Sequence, residues 1–382
     1  MRFLVGADYP RDPDSGAAGT VFQSIAALRE IGCEVDEFWR EDLGRRIRHG
    51  NLHYWLELPR AMRRVVAARC AAKTYDAVLL SQPHAYLAGQ FIRRRYPGTL
   101  FLNRSHGWEG AVAEVMDRLA ASSGDSVPFV RGWLRRRMRR YLARHQDAVV
   151  EASNGMVVGS ALIAQFIQDR YGIPGEKIAV IPHGIHAEFL ADPLPPDGAE
   201  RWRKILYVGQ FTLIKAPEQV AGILNRVLLR QPDVTAGWVC DAAHHAAVSA
   251  LLDPGVRGRV TLYPWMSHDR LKAVFDEYGL FLFPSWYEGC AKAPVEAMSR
   301  GLAVVASRVG GPADRIRHGE NGYVVEPGEA EAMAARLEAL LDDPELARRI
   351  GRQARHDVEH ITWTNHARQL VAFAGHLPAG VR

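Results

Sequence analysis

Short apolar runs alternate with stretches of helical spacing along the whole chain. In the first half the runs are Phe3–Ala7, Val35–Phe38, Ala77–Ser81, Leu100–Asn103, Met156–Val158 and Ile178–Ile181. In the second half they are Ile205–Gly209, Thr235–Cys240, Val260–Tyr263, Leu280–Pro284, Leu302–Ser307 and Tyr323–Glu326. Continuous apolar strands between amphipathic helices predict an α/β protein with parallel sheets covered on both faces. The Pro-rich stretch ADPLPPDGAER interrupts the alternation and reads as a linker over 191–201. A chain of 382 residues also exceeds one ordinary core. The pattern therefore predicts two doubly wound, Rossmann-like domains, 1–190 and 202–364, facing a cleft. A last helix over 365–382, with Leu370, Val371 and Phe373 at helical spacing, is expected to return to the first domain.

The most informative stretch is FLFPSWYEGCAKAPVEAMSRG, from Phe281 to Gly301. A strand ends at Pro284, and Glu288 and Glu296 follow with seven residues between them, the second opening a predicted helix. Ligands of α/β sheets bind outside the carboxyl ends of the strands. A carboxylate there can accept two hydrogen bonds side by side, which suits the vicinal hydroxyls of ribose or a hexose. Gly289 marks the turn. Other strand ends carry candidate chemistry too: Gly209 and Lys215 in YVGQFTLIKAPEQ, Gly310 and Gly311 in SRVGGPADR, and Gly16 in SGAAGTVFQ. In NRSHGWEG, His106 stands just past a strand, with Trp108 and Glu109 behind it.

Together these segments resemble glycosyltransferase family 4, retaining enzymes of GT-B fold. The resemblance implies a retaining glycosyltransferase moving a hexose-type sugar from a nucleotide-diphosphate sugar to a hydroxyl acceptor. It implies that Glu296 holds the donor ribose and Glu288 sits beside the sugar. It implies that Lys215 and Gly209 meet the diphosphate, with Gly310 and Gly311 close by and Gly16 across from them on the acceptor-side first domain. His106 is then expected near the reacting groups, and Trp108 and Glu109 at the acceptor. The departures are specific. Gln210 replaces a usual Arg, Asp314 a usual Glu, Ser15 the first Gly of a pair, and His183-Gly184-Ile185-His186 stands for Asn-Gly-Ile-Asp. The last segment reads as a solvated turn, because no carboxylate or Cys completes a metal set. Two rival readings stay open: a nucleotide-sugar epimerase of the same fold, and a non-catalytic partner subunit.

Charge adds one element. Residues 1–195 hold 26 Lys and Arg against 21 Asp and Glu, which accounts for the whole net charge of +5. Much of it lies in RGWLRRRMRRYLARH, where Arg131, Arg135, Arg136, Arg137, Arg139, Arg140 and Arg144 surround an apolar stripe of Leu134, Met138, Tyr141 and Leu142. Two readings stay open: the stripe docks on its own domain and the arginines are solvated, or the helix is drawn to anionic membrane, which would extend the acceptor class to lipid-linked molecules. No nucleic-acid-reading motif accompanies the charge. Cys33, Cys70, Cys240 and Cys290 are scattered, as in reduced intracellular proteins. A cytoplasmic location follows, peripheral at the inner face of the membrane if the basic helix binds there. The Asp12-Pro13-Asp14 triplet reads as coincidence. No cofactor and no essential metal are expected.

Overall fold

The computed structural model describes residues 1–13, 15–81, 83–122, 129–196 and 198–378, with the side chains of 51, 121–122, 129–136 and 138–140 excepted. The chain divides into two compact units, Met1–His183 with Trp363–Arg382, and Gly184–Thr362.

The first unit holds β1 (Arg2–Gly6), β2 (Glu34–Phe38), β3 (Ala77–Ser81), β4 (Leu100–Ser105), β5 (Gly155–Val158) and β6 (Ile178–Val180). The second holds β7 (Lys204–Val208), β8 (Thr235–Val239), β9 (Val260–Tyr263), β10 (Leu280–Phe283), β11 (Ala303–Ser307) and β12 (Tyr323–Val325). The spatial orders are β2-β1-β3-β4-β5-β6 and β12-β11-β10-β7-β8-β9. All pairs are parallel.

The inner strands of each sheet are buried on both faces, which is why most of them read as apolar runs, whereas β2, β6 and β9 at the edges are partly exposed. Ile205 and Tyr207 face one core of the second unit, and Leu206 and Val208 the other. Leu280 and Leu282 alternate with Phe281 and Phe283 in the same way. In the first unit Phe3 and Val5 face one core and Leu4 the other. Each such side chain contributes roughly 1.5–3 kcal/mol by leaving water.

The helix Trp363–His376 belongs to the first unit and packs on the helix Ala17–Glu30. Trp363, Ala367, Leu370 and Ala374 join the core of Phe3 and Val5. His366 is buried between them. Its Nδ1 lies 2.7 Å from the Pro182 carbonyl, so that nitrogen donates, and its Nε2 accepts from Ser24 Oγ at 3.3 Å. The buried Arg104 donates to the same Ser24 oxygen at 2.8 Å. Burial pushes the His366 imidazole down to about 3 and so holds it neutral.

The Pro-rich stretch read as a linker over 191–201 is held against the second unit. Arg300, only 1% exposed, donates to the carbonyls of Phe189, Asp192 and Pro193 at 3.0, 3.1 and 2.8 Å. Arg355 donates to Phe189 O and Leu190 O, at 2.9 and 2.7 Å. Arg201 and Trp202 are buried there as well. The compact units accordingly part between His183 and Gly184. A proline-rich composition says nothing of guanidinium groups, distant in sequence, that take up its carbonyls.

Candidate active site

The order of the second sheet selects one place. The chain runs from β7 outward through β8 and β9, then returns and runs from β10 outward through β11 and β12. The direction of winding therefore reverses between β7 and β10, and ligands of such sheets bind at the carboxyl ends of the strands at that reversal. The loop after β7 carries Gly209 and Lys215; the loop after β10 carries Glu288 and Gly289.

Lys215 Nζ lies 2.5 Å from Glu288 Oε1. It also stands 5.5 Å above the Phe283 ring, which places the ammonium over an aromatic face. Glu288 is buried, and its charge is met by this lysine. Two backbone devices fix the pair. Trp286 N donates to Ile214 O at 2.8 Å and ties the two loops together. Tyr207, buried in β7, donates its hydroxyl to Lys215 O at 3.2 Å. A Cβ on Gly209 would stand 2.4 Å from that hydroxyl, so Gly209 is required by Tyr207.

Gly310 and Gly311 open the helix Gly310–Arg315 and are buried. Cβ atoms there would meet Glu288 O at 2.4 Å and Cys290 O at 1.9 Å. The glycines thus let this turn press on the acidic loop, a packing requirement independent of any ligand. The same turn carries Arg315, whose NH1 would stand 2.4 Å from a Cβ on Gly311. Arg315 is a cation that sequence reading missed; its signal was its place on the helix opened by the two glycines. Gln210 is exposed. Among the described residues the non-glycine positions with positive φ are Ala216 and Ala291, one directly after Lys215 and the other three residues after Glu288. Left-handed backbone costs an L-residue roughly 1–2 kcal/mol, and such strain gathers at functional sites.

Glu296 is buried in the second turn of the helix Lys292–Ser299, which begins four residues earlier than the expected start at Glu296. Beside it stand His186 and His268, their rings stacked with centroids 3.8 Å apart. The turn read as solvated is therefore buried: Ile185 is 3% and His186 5% exposed. Ile185 N donates to Ile361 O at 2.8 Å, which draws the segment into the second unit. The carboxylate that stands with the two imidazoles is Glu296, from much later in the chain, so that expectation is corrected too.

In the first unit His106 follows β4 as expected. Its Nε2 is 3.3 Å from Ser81 Oγ, and its ring packs against Tyr9 and His183. Trp108 is buried with Met156, Ile163 and Ile167 and serves that core, which removes it as an acceptor contact. Glu109 opens the helix Glu109–Ser122 and accepts from Gln146 Nε2 at 2.8 Å. Burial, reinforced by the charge of Asp8, pushes the Glu109 carboxyl up to about 7. Burial also raises the Asp8 carboxyl. Asp8 lies two residues past β1 and was missed in the sequence, where its signal was a carboxylate just beyond the first strand. Because Glu109 ionises later in the folded than in the unfolded chain, its contribution to stability is full below about 4.5. It is lost as pH rises toward about 7. Glu109→Gln should therefore raise stability above pH 7 by up to about 3 kcal/mol and leave it unchanged at pH 4. Denaturant titrations at the two pH values read this directly.

Gly16 caps the helix Ala17–Glu30, exposed, with open space where a Cβ would stand. Asp14 lies outside the described residues. So do the side chains of Arg131, Arg135, Arg136, Arg139 and Arg140, within the helix Phe129–Ala152, on which the membrane reading turns. Tyr141, counted in its apolar stripe, packs on Trp55 and His145 instead. Among the described residues no helix is long and apolar enough to cross a membrane.

Both halves of the chain are similar to known proteins. Residues 15–189 match the family described as Glycosyltransferase Family 4, and residues 198–357 the family described as Glycosyl transferases group 1. A D-inositol 3-phosphate glycosyltransferase of Rhodococcus jostii is 25% identical over 243 residues, 59% of this chain and 53% of that protein. The chain thus spans about half the length of the curated relatives it matches in this way. The fold is similar to that of sucrose-phosphate synthase from Thermosynechococcus elongatus, with a TM-score of 0.78, 20% identity and 99% of each chain covered. It is also similar to Anabaena HepE, solved in complex with UDP and glucose, with a TM-score of 0.67, 17% identity and coverage of 98% and 99%. With each half matched to a glycosyltransferase family and the whole fold matched to GT-B enzymes, the chain belongs to the family 4 glycosyltransferases.

Proposed function

We propose that the protein transfers a hexose-type sugar, with retention at the anomeric carbon, from a nucleotide-diphosphate sugar to a hydroxyl acceptor. The observation that carries this reading is the Lys215–Glu288 pair at the switch point of the second sheet, with Glu296 buried on the helix that follows. Glu296 accepts hydrogen bonds from the donor ribose. Lys215 meets the diphosphate, and Glu288 holds the sugar while keeping that ammonium in place. Gly209, Gly289, Gly310 and Gly311 bring backbone close to the same ligand. Arg315 supplies the second cation that Gln210 does not.

In the reaction the acceptor oxygen bonds to the anomeric carbon as the bond to the diphosphate oxygen breaks. The acceptor proton passes to the departing diphosphate on the same face, so no protein nucleophile is needed. Lys215 stabilises the charge that grows on the leaving group. We assign to His106 the positioning of the acceptor hydroxyl. The relatives and neighbours that are transferases favour this reading over donor epimerisation or a non-catalytic subunit. The net positive charge of the first half supports an anionic or lipid-linked acceptor. Incubation with nucleotide-diphosphate sugars, with and without mixtures of sugar and lipid acceptors, tests the proposal. The expected result is nucleoside diphosphate release that rises with one acceptor class and a product of unchanged anomeric configuration. Acceptor-independent conversion of the donor to its epimer would overturn it.

A further inference from the structure

His186, His268 and Glu296 form a compact group of possible metal ligands in the second unit. One ligand atom from each of these residues falls within 4.8 Å of the others. The three come from separate elements: His186 from the turn before the helix Ala187–Ala191, His268 from the start of the helix His268–Asp276, and Glu296 from the helix Lys292–Ser299. The short helix packs on both of the others, and Arg300 and Arg355 hold its backbone, so the group sits in a braced part of the fold. Two imidazoles and one carboxylate are a ligand set that suits zinc and neighbouring transition metals and leaves a fourth position open. Ligand atoms about 2.0–2.2 Å from a tetrahedral ion stand roughly 3.3 Å apart, so the set closes with side-chain shifts of at most about 1.5 Å. A supporting group is present as well. His186 Nδ1 lies 4.0 Å from Glu188 Oε2, within ion-pair range. A carboxylate on that side of the ring orients it with Nε2 left to bind a metal.

We infer that His186, His268 and Glu296 form a binding site for a zinc-class divalent cation, filled in competition with the donor nucleotide. The site itself stands on geometry. The competition rests on the ribose role proposed for Glu296, because a carboxylate oxygen engaged by a metal is no longer offered to the ribose hydroxyls. The enzyme would then bind donor only when free zinc is low.

Calorimetric titration of zinc chloride into the metal-free full chain, without nucleotide, tests the site. Wild type should take up one equivalent. His268→Gln should weaken binding by more than about 100-fold, beyond what loss of a supporting residue brings, while the exposed His356→Gln behaves like wild type. Cobalt(II) absorption in the visible range, present in wild type and lost in His268→Gln, gives a readout independent of heat and of activity. No stoichiometric zinc binding, or equal binding in His268→Gln, overturns the site. The best-binding of UDP, GDP and ADP is then titrated with and without saturating zinc. Zinc should weaken its binding at least tenfold in wild type and much less in His268→Gln, which binds nucleotide normally in zinc-free buffer. The variant also controls for zinc held by the diphosphate in solution. Equal weakening in both proteins overturns the competition. If none of the nucleotides binds in zinc-free buffer, the donor reading fails while the zinc titration still decides the metal site.

Discussion

Lys215→Ala is expected to lower turnover by roughly 10²–10³-fold, the loss seen when one preorganised charge stabiliser of a leaving group is removed. Binding of the donor should change less, because in the proposed reaction the charge that Lys215 would meet grows mainly as the bond breaks. The variant should also lose stability, since Lys215 Nζ is 2.5 Å from the buried Glu288 and that carboxylate is left without its cation. The two effects separate in the double variant Lys215→Ala, Glu288→Gln. Neutralising the carboxylate should recover the melting temperature and leave turnover low. Steady-state rates beside thermal melts of the two single variants and the double supply the full cycle. Wild-type turnover in Lys215→Ala would remove this residue from the chemistry.

The second large effect is structural. Arg300→Ala is expected to destabilise the second unit by about 3–5 kcal/mol, the range for breaking one partner out of a buried charge pair. Arg300 Nε lies 2.6 Å from Asp276 Oδ1, and its other nitrogens serve three carbonyls of the segment entering the unit. Lysine should not rescue it, because a single ammonium cannot reach a carboxylate and three carbonyls at once. Urea titration followed by tryptophan fluorescence measures this, with the buried Trp202 as a reporter within the unit. A midpoint equal to wild type would show that Arg300 is not what fastens this segment.

These two residues mark how far the sequence could be read. The inner strands were legible because both their faces are buried, so that runs such as Phe281 to Phe283 carry no polar interruption. Lys215 and Glu288 were legible singly, each just past a strand. Their pairing was not, because it depends on β7 lying beside β10 in the sheet, and 73 residues separate the two side chains. The burial of His186 was illegible for a like reason: its ring partner His268 and the carboxylate of Glu296 come from helices much later in the chain. The short turn that contains His186 gave the polar appearance of a loop. Trp108 shows the opposite error. A tryptophan just past a strand looked like an acceptor contact, yet its ring fills a core that forms only once β5 and the helix Ala161–Tyr171 are in place. The arginine contacts of the Pro-rich stretch were hidden because their partners are backbone carbonyls, which no residue type announces.

We propose that Glu296 holds the ribose of the donor nucleotide. Calorimetric titration of UDP, GDP and ADP into wild type and Glu296→Gln, in zinc-free buffer, tests it most directly. One nucleotide should bind wild type saturably, and the variant should bind it more weakly by the roughly 1.5–3 kcal/mol of a hydrogen bond to a charged group. Saturable binding that is equally tight in Glu296→Gln would contradict the account.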